Sequence, residues 1–330
     1  MDSSADFIKQ SAIEEGFDLV GIAEAKFLAE ESLHIKVWLN RGYHGTMNWM
    51  EKNVEKRTNP DNILDGAKTI ISLGKNYYVP VNHDENFLKI SRYAWGDDYH
   101  SVINAMLRKY ATRLQEHFPN NEFLYYCDTG PVMDKVWAQR AGIGWIGKHT
   151  NVINREIGSW IFLAEVITDV VCDYDIMEID HCGSCRACID ACPTEAIVEP
   201  YVLDANKCIS FLTIENKDGK IPTELASKFD NWIFGCDICQ EVCPWNKKFQ
   251  TPTDNAGFAP REENLNLKAE DIHLMSRDEF WARFRKSPVK RARYEGLQRN
   301  VEAIFAPEAQ EPLAQKFAVQ RVNKVEKGNK

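Results

Sequence analysis

Ten cysteines stand in this chain of 330 residues, and eight of them fall into a metal-ligand pattern. Cys182, Cys185, Cys188 and Cys192 are spaced x2-x2-x3 and followed by Pro193. Cys236, Cys239 and Cys243 are spaced x2-x3 and followed by Pro244, with Cys208 alone between the two sets. Thiolates are soft ligands, and the short spacing lets one loop wrap three corners of an iron–sulfur cube. The proline after each last cysteine turns the chain away, so that thiol reaches the neighbouring cube. This assigns Cys182, Cys185, Cys188 and Cys243 to one 4Fe–4S cluster, and Cys192, Cys208, Cys236 and Cys239 to a second.

The x2-x2-x3-Pro run is that of bacterial two-cluster ferredoxins, whereas the second set lacks its third close cysteine and Cys208 is the natural substitute. The alternative is two structural zinc sites of four thiolates each, which the run disfavours. Cys127 and Cys172 are left over and read as small buried hydrophobes, although Cys127 abuts a second residue of chemical interest.

That residue is Asp128. Two neighbouring cubes form a one-electron wire, a wire needs a terminus, and residues 1–170 precede it. Asp128-Thr129-Gly130-Pro131 follows a strand-like run, where α/β proteins place their chemistry. Asp128 reads equally as a catalytic group or as the cap of a following helix with Pro131 at its start. Gly142-Ile143-Gly144-Trp145-Ile146-Gly147 matches G-x-G-x-x-G, but a helical pattern precedes it and a strand pattern follows. A dinucleotide fingerprint needs the reverse order, so the run reads as a helix cap and tight turn. Arg57 is an anion anchor or a surface charge. The aromatic stretch from Ser91 to His100 suits a planar ligand or core packing, and His100 and His149 read as structural histidines.

The elements that must position these groups are legible in outline. A helical pattern over Phe7–Ile13 stops at Gly16, and Phe17–Ala23 and Thr69–Gly74 alternate as strands. Tyr99–His117 reads as a helix, and Phe123–Cys127 and Trp160–Ile167 read as strands. Helical signals return at Ser276–Phe284 and Leu297–Phe305, and the last residues to Lys330 read as a frayed tail. The expected division is an α/β unit over 1–170, a cysteine-rich unit over 171–250 and a helical, basic C-terminal region over 251–330.

The chain carries 40 basic and 49 acidic side chains, a formal charge of −9, with 44% hydrophobic residues. That composition excludes disorder, collagen and coiled coil, and the length allows two or three domains. No apolar run approaches the roughly 18–20 residues that span a bilayer, and the polar N-terminus has no signal-peptide pattern. No membrane association and a cytoplasmic location are therefore expected, where cysteines serve metal or redox chemistry rather than disulfides. The acidic total argues against a generic nucleic-acid coat. Residues 277–299 nonetheless hold eight cations against three carboxylates, interleaved with Phe, Trp and Tyr. Such a strip, with Lys290, Arg291 and Arg293 at its centre, can track RNA phosphates.

Several motifs occur in one order: Glu55-Lys56-Arg57, Tyr93-Ala94-Trp95-Gly96-x-Asp98-Tyr99-His100, Asp128-Thr129-Gly130-Pro131, Arg140-Ala141-Gly142-Ile143-Gly144-Trp145-x-Gly147-Lys148, Gly158-Ser159-x-x-x-Leu163-Ala164-Glu165, the eight cysteines, and Cys208-Ile209-Ser210-Phe211-Leu212-Thr213. Together, over about residues 1–305, they resemble the epoxyqueuosine reductase family. The resemblance implies a cytoplasmic enzyme with two 4Fe–4S clusters and cobalamin. Such an enzyme reduces epoxyqueuosine at the wobble position of tRNA, acts as a monomer and is fed by a separate reductant protein.

It further implies an α/β cobalamin-binding domain similar to that of corrinoid reductive dehalogenases, a two-cluster ferredoxin-like domain and a short helical C-terminal region. The HEAT-like repeat of many members is not expected. Asp128 becomes the proton donor, with burial near the corrin expected to raise its pKa. Cobalamin contacts carry over to Arg57, Ser91, Asp128, Val152, Ser159, Ser210, Asp237 and Ile238, and some relatives have cysteine where Ser91 stands. The competing readings are a dehalogenase-like corrinoid enzyme and a non-catalytic ferredoxin-type carrier.

Overall fold

The computed structural model describes residues 3–217 and 219–305. The expected tail and any repeat beyond 305 lie outside the described residues. The Tyr99–His117 helix begins where Asp98 accepts a hydrogen bond from the His100 amide, and it ends at Phe118, before Pro119. Its buried residues Ile103, Leu107, Tyr110 and Leu114 recur at helical spacing and form one stripe. That stripe, with the Ser4–Glu14 helix, covers one face of a four-stranded sheet.

The sheet runs Leu19–Glu24, Thr69–Asn76, Ile161–Thr168, Phe123–Tyr126 in spatial order, antiparallel throughout. Side chains alternate across it. Ile22, Ile71, Leu73, Ala164 and Val166 face the two helices above, and Ala23, Ile70 and Ile167 face the Asp134–Arg140 helix on the other side. Thr69–Asn76 is buried at every position because strands flank it on both edges. At Gly21 a β-carbon would meet the Ala141 carbonyl oxygen at 2.0 Å, so glycine lets the end of the Asp134–Arg140 helix lie against the sheet.

After that helix Gly142 turns the chain in a left-handed conformation, and Trp145–Ile146 pairs antiparallel with Val152–Ile153. Helix, turn, strand is the order the sequence indicated, and it is not that of a dinucleotide site.

The cysteine-rich region is built from short pieces, among them helices Ala187–Ala191, Ile209–Ile214 and Ile238–Glu241. It is tied to the rest by a parallel pairing of Trp232–Phe234 with Lys89–Ile90. The Arg293–Phe305 helix starts four residues before the expected position, led in by a 3-10 turn over Pro288–Ala292. Its Asn300 amide, fully buried, donates to the carbonyls of Thr213 and Ile233, both at 2.8 Å, and so clamps the cysteine-rich region from outside. Among the described residues no helix is long and apolar enough to cross a membrane.

Candidate active site and cluster cavities

Helices Ala187–Ala191 and Ile238–Glu241 pack together, which brings the two cysteine sets side by side. Cys182, Cys185, Cys188 and Cys243 line one cavity of about 120 Å³, with Lys148 and His149 in its wall. The Lys148 ammonium donates to the carbonyls of Gly183 at 2.5 Å and Cys185 at 2.8 Å, fixing the loop that carries the first two thiols. Cys192, Cys208, Cys236 and Cys239 line a separate cleft of about 490 Å³. Burial and the neighbouring thiols push the Cys188 thiol up to about 11, and burial drives Cys236 well above the ordinary thiol range. Four thiols converging on one space in each set match the donor set that cationic iron requires. The donor sets fit two cubes.

The larger cleft extends beyond its thiols. Tyr77, Tyr93, Tyr99 and Phe162 line it with aromatic rings, and the loop from Cys236 to Gln240 lines it beside them. Ser91 anchors that loop: its hydroxyl donates to Asp237 at 2.5 Å, while the Arg92 amide donates to the other carboxylate oxygen at 2.7 Å. His149 lines both cavities. Its Nδ1 accepts from the Asn151 amide, burial lowers its pKa to about 4, and its buried Nε2 has no hydrogen-bond partner among the described residues. A cleft of this size with an aromatic lining and an unsatisfied donor fits a macrocycle such as a corrin.

Of the expected cofactor contacts, Ser91, Asp128, Ser210, Asp237 and Ile238 line this cleft. Three are not on its wall. Val152 packs with Ala138 and Ile143, behind the lining residues Thr150 and Asn151. Ser159 is buried, donating to Gln240 at 2.8 Å and accepting from Asn246 at 2.9 Å, so it positions a cleft residue from behind. Arg57 lies over the Trp49 ring at 5.4 Å, in the field of Asp134. The Ser91–His100 stretch divides its duties. Ser91, Tyr93 and Tyr99 face the cleft, while Arg92 is buried against Trp95, Tyr78 and Trp160.

Asp128 projects from the turn after Phe123–Tyr126, with φ +62°. It caps no helix, because the next one starts at Asp134 and Met133 precedes it without a side-chain bond. Its Oδ2 accepts from the Tyr99 hydroxyl at 2.6 Å and lies 3.4 Å from His100 Nε2. The expected upward pKa shift is not found. The His100 hydrogen bond outweighs burial and, with Tyr99, holds the carboxyl below its ordinary range. His100 Nδ1 in turn faces Asp98 at 2.8 Å, and Lys290 reaches the other Asp98 oxygen at 2.7 Å.

Residues 57–129 match the family model described as epoxyqueuosine reductase QueG, DUF1730, and residues 181–246 match the 4Fe-4S double cluster binding domain. The epoxyqueuosine reductase of Cellulophaga algicola is 45% identical over 91% of this chain and 97% of its own, and that of Leadbetterella byssophila is 48% identical over 90% and 97%. The chain belongs to the epoxyqueuosine reductase family. The solved epoxyqueuosine reductase of Streptococcus thermophilus superposes with a TM-score of 0.83 at 30% identity, covering 99% of this chain and 86% of that one. A crystal structure of epoxyqueuosine reductase with a tRNA-Tyr epoxyqueuosine-modified stem loop gives 0.82 at 30% identity, covering 92% and 80%.

An epoxyqueuosine reductase is an oxidoreductase, which sets aside the carrier reading, and the double-cluster match sets aside zinc. Family motifs also draw in groups whose roles the sequence did not disclose. Glu165 is fully buried on the Ile161–Thr168 strand, accepts from Ser72 at 3.3 Å and lies against Asp134 beside the cleft. Burial, reinforced by Asp134, drives Glu165 well above the usual carboxylate range. The pairing of Ser72 with Glu165 across the sheet could have located it only once the strand order was known.

Four of the eight cations of the basic strip have internal partners among the described residues of the epoxyqueuosine reductase fold. Lys290 pairs with Asp98, Arg291 with Glu215 at 2.7 Å and Arg277 with Glu295, while Arg299 donates to the carbonyls of Leu212, Asn216 and Gly219. Arg285, Lys286 and Arg293 are exposed.

Proposed function

We propose that this chain reduces epoxyqueuosine to queuosine in tRNA, with electrons passing through the two clusters to a cobalamin held in the larger cleft and Asp128 protonating the departing oxygen. One observation carries the reading: the second set of four thiols and Asp128 line the same cleft. The inner end of an electron wire and an acid therefore face one space. Cobalamin supplies, when bound, a centre that accumulates two electrons delivered singly and acts as a strong reductant. The Cys236–Gln240 loop and Ser91 form its seat, Tyr77, Tyr93 and Phe162 keep water from the reacting face, and Asp128 offers its free oxygen. A wobble base has to be splayed out to reach this depth. One chain holds wire, seat and acid, so the reading needs no second copy. The substrate places it in the cytoplasm, and a separate reductant protein reaches the outer cluster near the exposed Cys185.

Anaerobic reconstitution tests this. About eight irons and one cobalamin per chain are expected, with turnover of epoxyqueuosine-containing tRNA. Eight irons with neither corrinoid binding nor turnover would overturn it.

Lys290, Arg291 and Arg293 stand as the proposed RNA contacts, and Arg293 differs from the other two in its backbone. It is exposed, and its backbone has φ +63° and ψ 167°, a region that side chains other than glycine enter at a cost of about 1–3 kcal/mol. Arg293→Gly is expected to leave the melting temperature equal or higher while tRNA affinity falls and its salt dependence becomes shallower by about one charge. Unchanged affinity and salt slope would remove Arg293 from the interface.

A further inference from the structure

We infer that His100 is a positioning residue that stores the proton Asp128 delivers, in a carboxylate–imidazole–carboxylate line with Asp98 behind it. The inference rests on the reading of Asp128 as the acid and begins from stoichiometry. Converting an epoxide to an alkene breaks both bonds to oxygen and releases water, consuming two electrons and two protons. The clusters deliver the electrons. Asp128 carries at most one proton at a time, and its side chain is 63% exposed in the open cleft, so a fixed neighbour becomes its proton source once substrate covers it.

The neighbours of Asp128 are few. Tyr99 donates to it, but burial and Asp128 itself keep the phenol protonated far above neutrality, and the ring is stacked on Phe162 at 4.4 Å. Lys135 holds Asn151 at 2.9 Å, and Glu165, paired with Asp134, has no solvent exposure. His100 differs in geometry. Its side chain is 32% exposed, so solvent can reload it, and its two nitrogens face two carboxylates, 2.8 Å from Asp98 and 3.4 Å from Asp128. A neutral imidazole has one N–H and would leave one carboxylate facing a lone pair; only the doubly protonated ring donates to both. Asp98 is fixed for this task, buried and held by Lys290 and by the His100 amide. The same orienting logic governs Asp–His pairs in hydrolytic triads.

The surrounding charges agree. Burial disfavours the charged ring, but Asp128 and Asp98 outweigh it and lift the imidazole to about 9. The other charges nearby are Lys290, which acts through Asp98, Lys135, and the Arg291–Glu215 pair. At neutral pH the pair rests as carboxylate and imidazolium. In turnover His100 Nε2–H protonates Asp128, which passes that proton to the oxygen of the first broken C–O bond; solvent reloads the ring, and a second transfer by the same route completes the water.

The test is His100→Gln in the reconstituted enzyme, assayed against pH beside the wild type and Asp128→Asn. Wild-type turnover is expected to hold through neutrality and fall above about 9, where His100 loses its proton. His100→Gln should lose about 100-fold at pH 7.5, regain rate as pH falls, and be partly rescued by added imidazole. Ring nitrogen NMR should place the His100 midpoint near 9, falling in Asp98→Asn. A profile unmoved by His100→Gln with no rescue, or a midpoint near that of free histidine, overturns the inference. If Asp128→Asn keeps full activity, the acid assignment has failed; if it loses activity while the His100→Gln profile is unmoved, only the feed has.

Discussion

Asp128→Asn should retain both clusters and the corrinoid and lose about 10²–10⁴-fold in turnover of epoxyqueuosine tRNA. Asparagine is the informative replacement because the site's backbone limits the choice. Asp128 sits at φ +62°, a conformation that asparagine tolerates and that costs alanine about 1–2 kcal/mol. The amide oxygen still accepts from Tyr99, so the turn stays in place. What disappears is the ability to give a proton to a departing oxygen, which otherwise has to leave as alkoxide. Iron content, corrinoid spectrum and turnover measured on one preparation decide the matter, and full activity would remove Asp128 as the acid.

The second large effect concerns the lone cysteine. Cys208→Ala should bind about four irons instead of about eight and lose turnover altogether. Its thiol stands at the head of the Ile209–Ile214 helix, receives the amides of Ser210 and Phe211, and faces the same cleft as Cys192, Cys236 and Cys239. Removing it opens the inner cube, and the wire ends short of the cleft. Cys127→Ala and Cys172→Ala are the controls, expected to keep all the iron. Cys127 lies in the core above the sheet, and Cys172 packs at its margin near the Thr69 hydroxyl. Full iron in Cys208→Ala would break the cluster assignment.

Local chemistry was legible where the chain writes its own boundaries. Tyr99–His117 is bounded as read because Asp98 caps its start and Pro119 follows its end. Ser276 likewise closes a capping box with Glu279 at the head of Arg277–Phe284. The first strand runs Leu19–Glu24 rather than Phe17–Ala23, because Phe17 is taken by the core and Asp18 turns aside to bind Lys75 and the Asn76 amide. The spatial order of the sheet was not legible, since it depends on pairings about 90 residues apart in sequence, such as Ser72 with Glu165. His100 was hidden for the same reason. Its neighbour Asp98 is two residues away, but Asp128, which changes its meaning, is brought to it only by the fold. The lysine and arginine strip was legible as charge alone, because cations counted along a sequence do not reveal which carboxylates they also serve.

The loop from Cys236 to Gln240 gives two thiols to the inner cavity and its other side chains to the wall of the cleft, with Asp237 gripped by Ser91 and Arg92. Dioxygen that strips iron from this loop therefore does more than cut a circuit. It leaves the segment proposed as the corrin's seat held by Ser91 and Arg92 alone, so iron loss is expected to lower corrinoid affinity as well. Assembly carries the same expectation in reverse: cluster-free protein should bind corrinoid more weakly than the iron-reconstituted chain.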